Sequence, residues 1–305
     1  MAIGDLISST DYNTIRNKII NVMSTGSGNS GYGQTTFSSS VSSGNTVTKA
    51  QWDALRYDIY NALLHQTGSA PSITSVSVGD VIRFGASNPN SQYSTLSDTA
   101  TINRFNLGSG QFLTDALGSQ STSTSWYQSR SVTATVTFNT AEQARFFFNA
   151  GGKIRFTSTR TGGSSVQQNT DWSNLLASVG TQTFGGGSPS INFFNLTSAY
   201  QQFYTLSSSS PYAANNYKLE ASCNVANNSA GTANVLSFRV TWTDGYFDPG
   251  PNTPQNPAPG DLVDGTLSLT MDAVRAYGVL QPTGTAGSFV TVGPSSTVID
   301  PFTGS

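Results

Sequence analysis

Residues 131–159, SVTATVTFNTAEQARFFFNAGGKIRFTST, constrain the fold most, because they prescribe a strand, a short helix and a second strand with little freedom between them. Val132, Ala134, Val136 and Phe138 alternate with Thr133, Thr135 and Thr137, a period of two that buries one face of a strand. Thr140 then opens a helix. T-A-E-Q is a capping box, in which the Thr140 hydroxyl accepts from the Gln143 N–H and the Gln143 side chain reaches back. Glu142 suits the positive end of the helix dipole. Three consecutive phenylalanines, 146 to 148, are too apolar for an exposed helix, so at least two must be buried. Gly151 and Gly152 stop the helix, and Ile154 and Phe156 resume the alternation.

Two further helices are expected before this block. Tyr12, Ile15, Ile19 and Met23 recur at helical spacing, with Arg16 and Lys18 on the opposite side. A second helix spans residues 47–67, with Thr48 and Gln51 as a capping box and Val47 and Trp52 as a hydrophobic staple. Trp52, Leu55, Ile59 and Leu63 form its apolar face and Gly68 closes it. Residues 1–70 are therefore expected to form an N-terminal helix-pair module. Ile15, Ile19, Trp52, Leu55 and Ile59 are its candidate docking face. The Gly/Ser-rich loop at 25–46 is long for a structureless connection, so Tyr32, Phe37 and Val41 are expected to pin it.

From residue 73 onward β alternation dominates: ITSVSV, DVIRF, TATINRFNL and SVTATVTF, broken by turns at Asn88-Pro89-Asn90 and Gly108-Ser109-Gly110. Residues 171–179 suggest one more helix, capped by Thr170 and stopped by Gly180. A loop follows at residues 185–189. An edge strand is expected within residues 192–206. Tyr217, Leu219, Ala221 and Cys223 alternate, as do Leu236, Phe238, Val240 and Trp242, which makes a long hairpin. Five prolines in residues 248–260 forbid a sheet ladder there. Residues 262–281 return to the sheet. The fold class is mainly β: a β-sandwich or jelly-roll-like domain over 71–281, with the helix near 140–150 capping one end. Residues 282–305 are expected to be an extended arm ordered against a neighbouring subunit.

Composition enters where function is concerned. Only 10% of the 305 residues are charged, against about 25% in ordinary domains, and the net charge is −2. No basic stripe exists to displace phosphate counterions, so no nucleic-acid partner is expected. No apolar run approaches the roughly 20 residues of a membrane span, and the first residues lack the pattern of a secretory signal. A lone cysteine, Cys223, excludes an intrachain disulfide and fits a small buried side chain. His65, the only histidine, leaves no histidine-cluster metal site and makes a hydrolase triad improbable; its expected place is the surface or an interface.

No nucleotide-binding or nucleophile-elbow motif occurs. Asp244 and Asp248 bracket Gly245-Tyr246-Phe247, and Asp261 and Asp264 flank another turn. Turn formation is the favoured role, with calcium binding by Asp244 and Asp248 and catalysis as the alternatives. Trp126, Tyr127 and Tyr246 lie near turns and are candidate surface aromatics for stacking on sugar rings, against the alternative of core or subunit interface. No enzyme activity, cofactor or metal is expected. Asn195-Leu196-Thr197 and Asn227-Asn228-Ser229 match the glycosylation pattern, as chance allows in so Asn/Ser/Thr-rich a chain.

Several of these stretches carry a resemblance. S-S-T-D-Y-N-T-I-R-N-K-I, then Gly26 to Gln34, then V-T-K-A-Q-W-D-A-L-R-Y-D-I from Val47 to Ile59, resemble a module in virion structural proteins of T4-like tailed phages infecting marine cyanobacteria. TFNTAEQARFFFNAGGKIRF is similar to the same group. The resemblance covers about residues 1–70 and 130–160. It implies a non-enzymatic particle component of the tail, neck, baseplate or fibre apparatus, with other virion proteins and copies of itself as partners. It further implies assembly in the host cytoplasm and release by lysis. A capsid decoration protein and an adhesin for host-surface glycans are the alternatives.

Overall fold

The computed structural model describes residues 9–77, 92–187, 190–247, 262–276 and 292–304. Several expectations lie outside these: the strand at 80–84, the turn at 88–90, Ser188-Pro189, the proline-rich 248–260, Asp261, and residues 282–291. The chain divides into two compact units, and neither is continuous in sequence. The first takes Met1–Leu113, Arg145–Gly152 and Arg275–Val292; the second takes Thr114–Ala144, Lys153–Val274 and Gly293–Ser305. The helix-pair module of residues 1–70 is therefore part of a larger unit.

The first unit is built on α1 (Ser9–Met23), α2 (Lys49–Thr67) and α3 (Gln92–Ile102). Both halves of the capping box at Thr48 and Gln51 form, so α2 starts where expected. It ends at Gly68, whose φ of 74° needs glycine; a Cβ there would meet the Ser109 carbonyl oxygen at 2.2 Å. α3 replaces the expected strand TATINRF. Its Thr99 and Thr101 hydroxyls bond the carbonyls of Thr95 and Ser97, four residues back, and Tyr93, Ser97 and Ala100 face inward at helical spacing. The β-branched threonines that mimic a strand here cover the helix's outer side. Trp52 centres the core, edge-on to Tyr12 at 5.2 Å and to Tyr93 at 5.3 Å.

The second unit is mainly β, a sandwich of two antiparallel sheets. One sheet has the order β1 (Phe112–Thr122), β8 (Thr266–Ala276), β3 (Lys153–Thr161), β4 (Thr181–Gly185). The other has the order β5 (Gln201–Ser207), β6 (Asn216–Cys223), β7 (Val235–Thr243), β2 (Ser129–Thr137), β9 (Ser296–Ile299). The expected hairpin is β6 and β7, in register with Leu219 opposite Val240 and Ala221 opposite Phe238. On the other side of β7, Val132 of β2 pairs with the same Val240. The alternation thus lines one face of three adjacent strands with apolar side chains. Phe238 closes on Phe156 and Phe184 of the facing sheet at 5.0 and 5.3 Å.

Two other expectations change, at α5 and at the end of the chain. α4 (Ala141–Asn149) forms as expected, with the Gln143 N–H donating to the Thr140 hydroxyl. It begins in the second unit, and its residues from Arg145 belong to the first. Phe147 and Phe148 are the two buried phenylalanines. α5 (Gln167–Val179) starts one turn earlier than expected, and Thr170 lies inside it with its hydroxyl near the Val166 carbonyl. The end of the chain is not an arm awaiting a neighbour. β9 completes its own sheet against β2, Ser131 and Thr303 exchange backbone hydrogen bonds, and Phe302 packs on Trp242 at 5.3 Å.

Candidate functional site

The five residues expected to dock a partner are inside. Ile15, Ile19, Trp52, Leu55 and Ile59 are at most 2% exposed. The stripes of α1 and α2 need apolar cover, and each other, Tyr93 of α3 and Tyr32 and Val41 of the loop supply it within the first unit. No side of that stripe is left for another molecule.

What distinguishes the first unit is polar, and it concerns the Gly/Ser loop. Asp58, on α2 and 1% exposed, accepts from the Phe37 and Ser38 N–H groups at 2.9 Å each and from the Ser38 hydroxyl at 2.6 Å. Asn13 bonds both backbone groups of Val41, at 2.7 and 3.0 Å. Arg16 donates to the Ser38 carbonyl at 3.1 Å. Arg145, 5% exposed, donates to the carbonyls of Ser30 and Thr25 at 2.8 and 2.7 Å. Asn149 donates to those of Gly28 and Gly31 at 3.2 and 3.0 Å. Gln66 donates to the Tyr32 hydroxyl, which itself donates to the Arg104 carbonyl. The loop is pinned by Tyr32 and Val41 as expected, whereas Phe37 is 53% exposed and pins nothing with its ring.

His65 is buried rather than superficial. Its Nε2 stands 2.8 Å from the Ala150 carbonyl oxygen, so this nitrogen carries the proton of a neutral ring. Burial lowers its pKa to about 4, opposed by that hydrogen bond. Burial acts on Asp58 too and raises its carboxyl above the usual range, although three hydrogen bonds pull the other way. Both groups are engaged by the backbone they hold, which is what a scaffold needs. Sequence reading missed them because their partners are remote, with Ala150 85 residues from His65. One signal was present for Asp58: it falls three residues after Leu55 and one before Ile59, on the buried side of its helix.

In the second unit the three candidate aromatics separate. Trp126 is 2% exposed, edge-on to Trp172 at 4.9 Å, and its backbone pairs with Val263. It is core, not a stacking platform. Tyr127 and Tyr246 are half-buried. The Tyr246 ring lies 4.4 Å from Tyr212, and the N–H groups of Gly245 and Tyr246 both donate to the Asn215 side chain.

Asp244 is 5% exposed, receives the Gln168 amide, and donates its own N–H to the Gln128 carbonyl. Its expected calcium partner, Asp248, lies outside the described residues. Asp264 fills the turn-forming role, though across the fold rather than locally. It accepts from the Ser164 N–H and hydroxyl, from Asn169 and from Arg160. Desolvation pushes its carboxyl up, yet these bonds hold it below the ordinary range. Among the described residues no group of three or more His, Cys, Asp or Glu is placed to hold a metal ion, and no helix is long and apolar enough to cross a membrane. Cys223 is buried, its thiol against the Val225 carbonyl at 3.3 Å. Asn195 has its side chain bonded to Asn192 and Ser190 within a tight turn. No family model, no curated protein and no solved structure matches this chain.

Proposed function

We propose that this chain is a non-enzymatic structural protein of a bacteriophage virion, a component of the tail, neck, baseplate or fibre apparatus that is built in through subunit contacts. One observation carries the reading. The stretches that resemble the cyanophage module are separated in sequence, and parts of all of them meet in the first unit. Gly26 to Gln34 is held there by Arg145 and Asn149, from the second resembling block, and His65, just beyond the α2 stretch, holds Ala150. Chance matches scattered along a chain have no reason to interlock; a module kept for one architecture does. The neutral surface supports the same reading, because subunits with few charges pack repeatedly without long-range repulsion.

The test is quantitative mass spectrometry of purified particles of a phage that encodes this chain. A copy number on the order of tens or fewer, in keeping with a cyclic tail or neck assembly, is expected. Hundreds of copies would move the chain to the capsid surface as a decoration protein, and absence from the particle would end the structural reading. The adhesin reading keeps only Tyr246, half-buried against the buried Tyr212 ring. A glycan array on which Tyr246→Ala and the unaltered chain bind alike would remove Tyr246 as its platform.

A further inference from the structure

The two units are threaded unequally. Between the pieces of the first unit run two stretches of the second, the 31 residues 114–144 and the 122 residues 153–274. Between the pieces of the second run the 8 residues 145–152 and the 18 residues 275–292, and the residues up to Leu113 interrupt it nowhere. A folded unit holds the ends of its own segments in place. Once it unfolds, those segments become loops that the other unit must close alone, at a cost that grows with the logarithm of loop length. Two loops of 31 and 122 residues are on the order of 100-fold harder to close than two of 8 and 18.

The shortest of these stretches is one the first unit needs. Arg145 and Asn149 hold the carbonyls of Thr25, Ser30, Gly28 and Gly31, and His65 holds that of Ala150. Ala150 lies in the buried cluster that contains Trp52 and Ile59. The fit is close: a Cβ on Gly151 would meet the Phe105 carbonyl oxygen at 2.9 Å, and one on Gly33 would meet the Phe146 ring at 2.6 Å. The ends of the stretch are fixed elsewhere. β2 before it pairs with β7 and β9, and β3 after it pairs with β4 and β8. Losing β2 and β3 therefore frees the ends of a segment that the first unit depends on. Losing the first unit leaves the second with an eight-residue loop between two strands that keep their ladders.

We infer that the units open in a nested order, with residues 145–152 as the strap: the first unit opens while the second stays folded, and the second does not open without releasing the first. This follows from connectivity and does not rest on the virion reading. Native-state hydrogen exchange of the full chain in rising, sub-denaturing urea tests it. The reporters in the first unit are the amides of α2 and those of Tyr32 and Gln34, which donate to the Val22 and Met23 carbonyls. The reporters in the second are the amides of β6 and β7. The first set is expected to merge into one sub-global opening, at least ~10-fold less protected than the best amides of the second. Asn149→Ala is expected to lower protection at Tyr32 and Gln34 by a further ~10-fold and to leave β6 and β7 unchanged. Amides of α2 as well protected as those of β7, or better, overturn the inference. So does an Asn149→Ala variant in which β6 and β7 lose as much protection as Tyr32.

Discussion

In the second unit a side chain is held by its register neighbours. Phe238 sits on β7 opposite Ala221 and Ala134 and meets Phe156 and Phe184 across the sandwich. In the first unit the loop at 25–46 has no ladder, and its backbone is held group by group through Asn13, Arg16, Asp58, Arg145 and Asn149. The first arrangement is apolar, repetitive and tolerant of register-preserving changes. The second is polar and singular: a buried N–H or carbonyl that loses its one partner has no water to turn to. The two units therefore should fail in different ways when single side chains are removed.

The largest effect is expected where many contacts converge. Phe238→Ala should cost about 4 kcal/mol in chemical unfolding, through lost burial and a cavity among phenylalanines that cannot close around it. Phe238→Leu, which keeps most of the volume, should cost less than half of that. If both variants cost the same, the aromatic cluster is not what holds the sheets together.

That cluster was legible from sequence, and the loop clamp was not. Alternation over residues 217–223 and 236–242 names the inward side chains without knowledge of any partner, because a strand's period is two whatever it pairs with. The helices α1 and α2 were legible for the corresponding reason, with the box at Thr48 and Gln51 fixing the start of α2. α3 was not, because its threonines bond their own backbone and so give a strand-like composition inside a helix. Nor does any local pattern say that Arg145 will reach Ser30, 115 residues away, or that the last residues will fold back beside β2. The docking face failed differently. Its residues were identified correctly as one apolar surface, but a sequence does not say whether such a surface meets another molecule or its own chain.

The clamp can be tested next. Asp58→Ala strands the buried N–H and hydroxyl of Ser38 and releases the half-buried Phe37 N–H, and about 3 kcal/mol of stability should go with it. Asp58→Asn, which keeps one acceptor, should recover part of this. Equal losses would mean that the charge matters more than the bonds.

Acid should act through His65. Its pKa falls from 6.5 to about 4 on folding, so the unfolded chain binds the proton more readily and protonation favours unfolding. The stability that follows from keeping the ring neutral is complete above about pH 6.5 and is lost as the pH falls towards 4. Between about pH 7 and pH 5 the loss should be about 2 kcal/mol, and His65→Gln should not show it. Asp58 runs against this trend, because a carboxyl whose pKa rises on folding favours the folded state as acid is added. The comparison with His65→Gln, in which Asp58 is unchanged, separates the two.

The smallest effect makes the sharpest contrast, because it comes from the same helix. Asp53 and Asp58 both lie on α2. Asp53 pairs with Lys49 one turn earlier at 2.5 Å, with side-chain exposures of 29% and 46%. Water competes for both of these groups, salt screens them, and the side chains lose freedom in pairing. Asp53→Ala should therefore change stability by only about 0.3 kcal/mol, less still at high salt, against about 3 kcal/mol for Asp58→Ala. The two residues have the same carboxylate and the same helix, and each has short, well-formed bonds. What differs is whether solvent could replace the partner: Asp58 is 1% exposed and grips the loop at Ser38, whereas Asp53 faces water. A loss at Asp53 comparable to that at Asp58 would mean that exposure does not decide the matter, and the contrast between clamp and surface would fall with it.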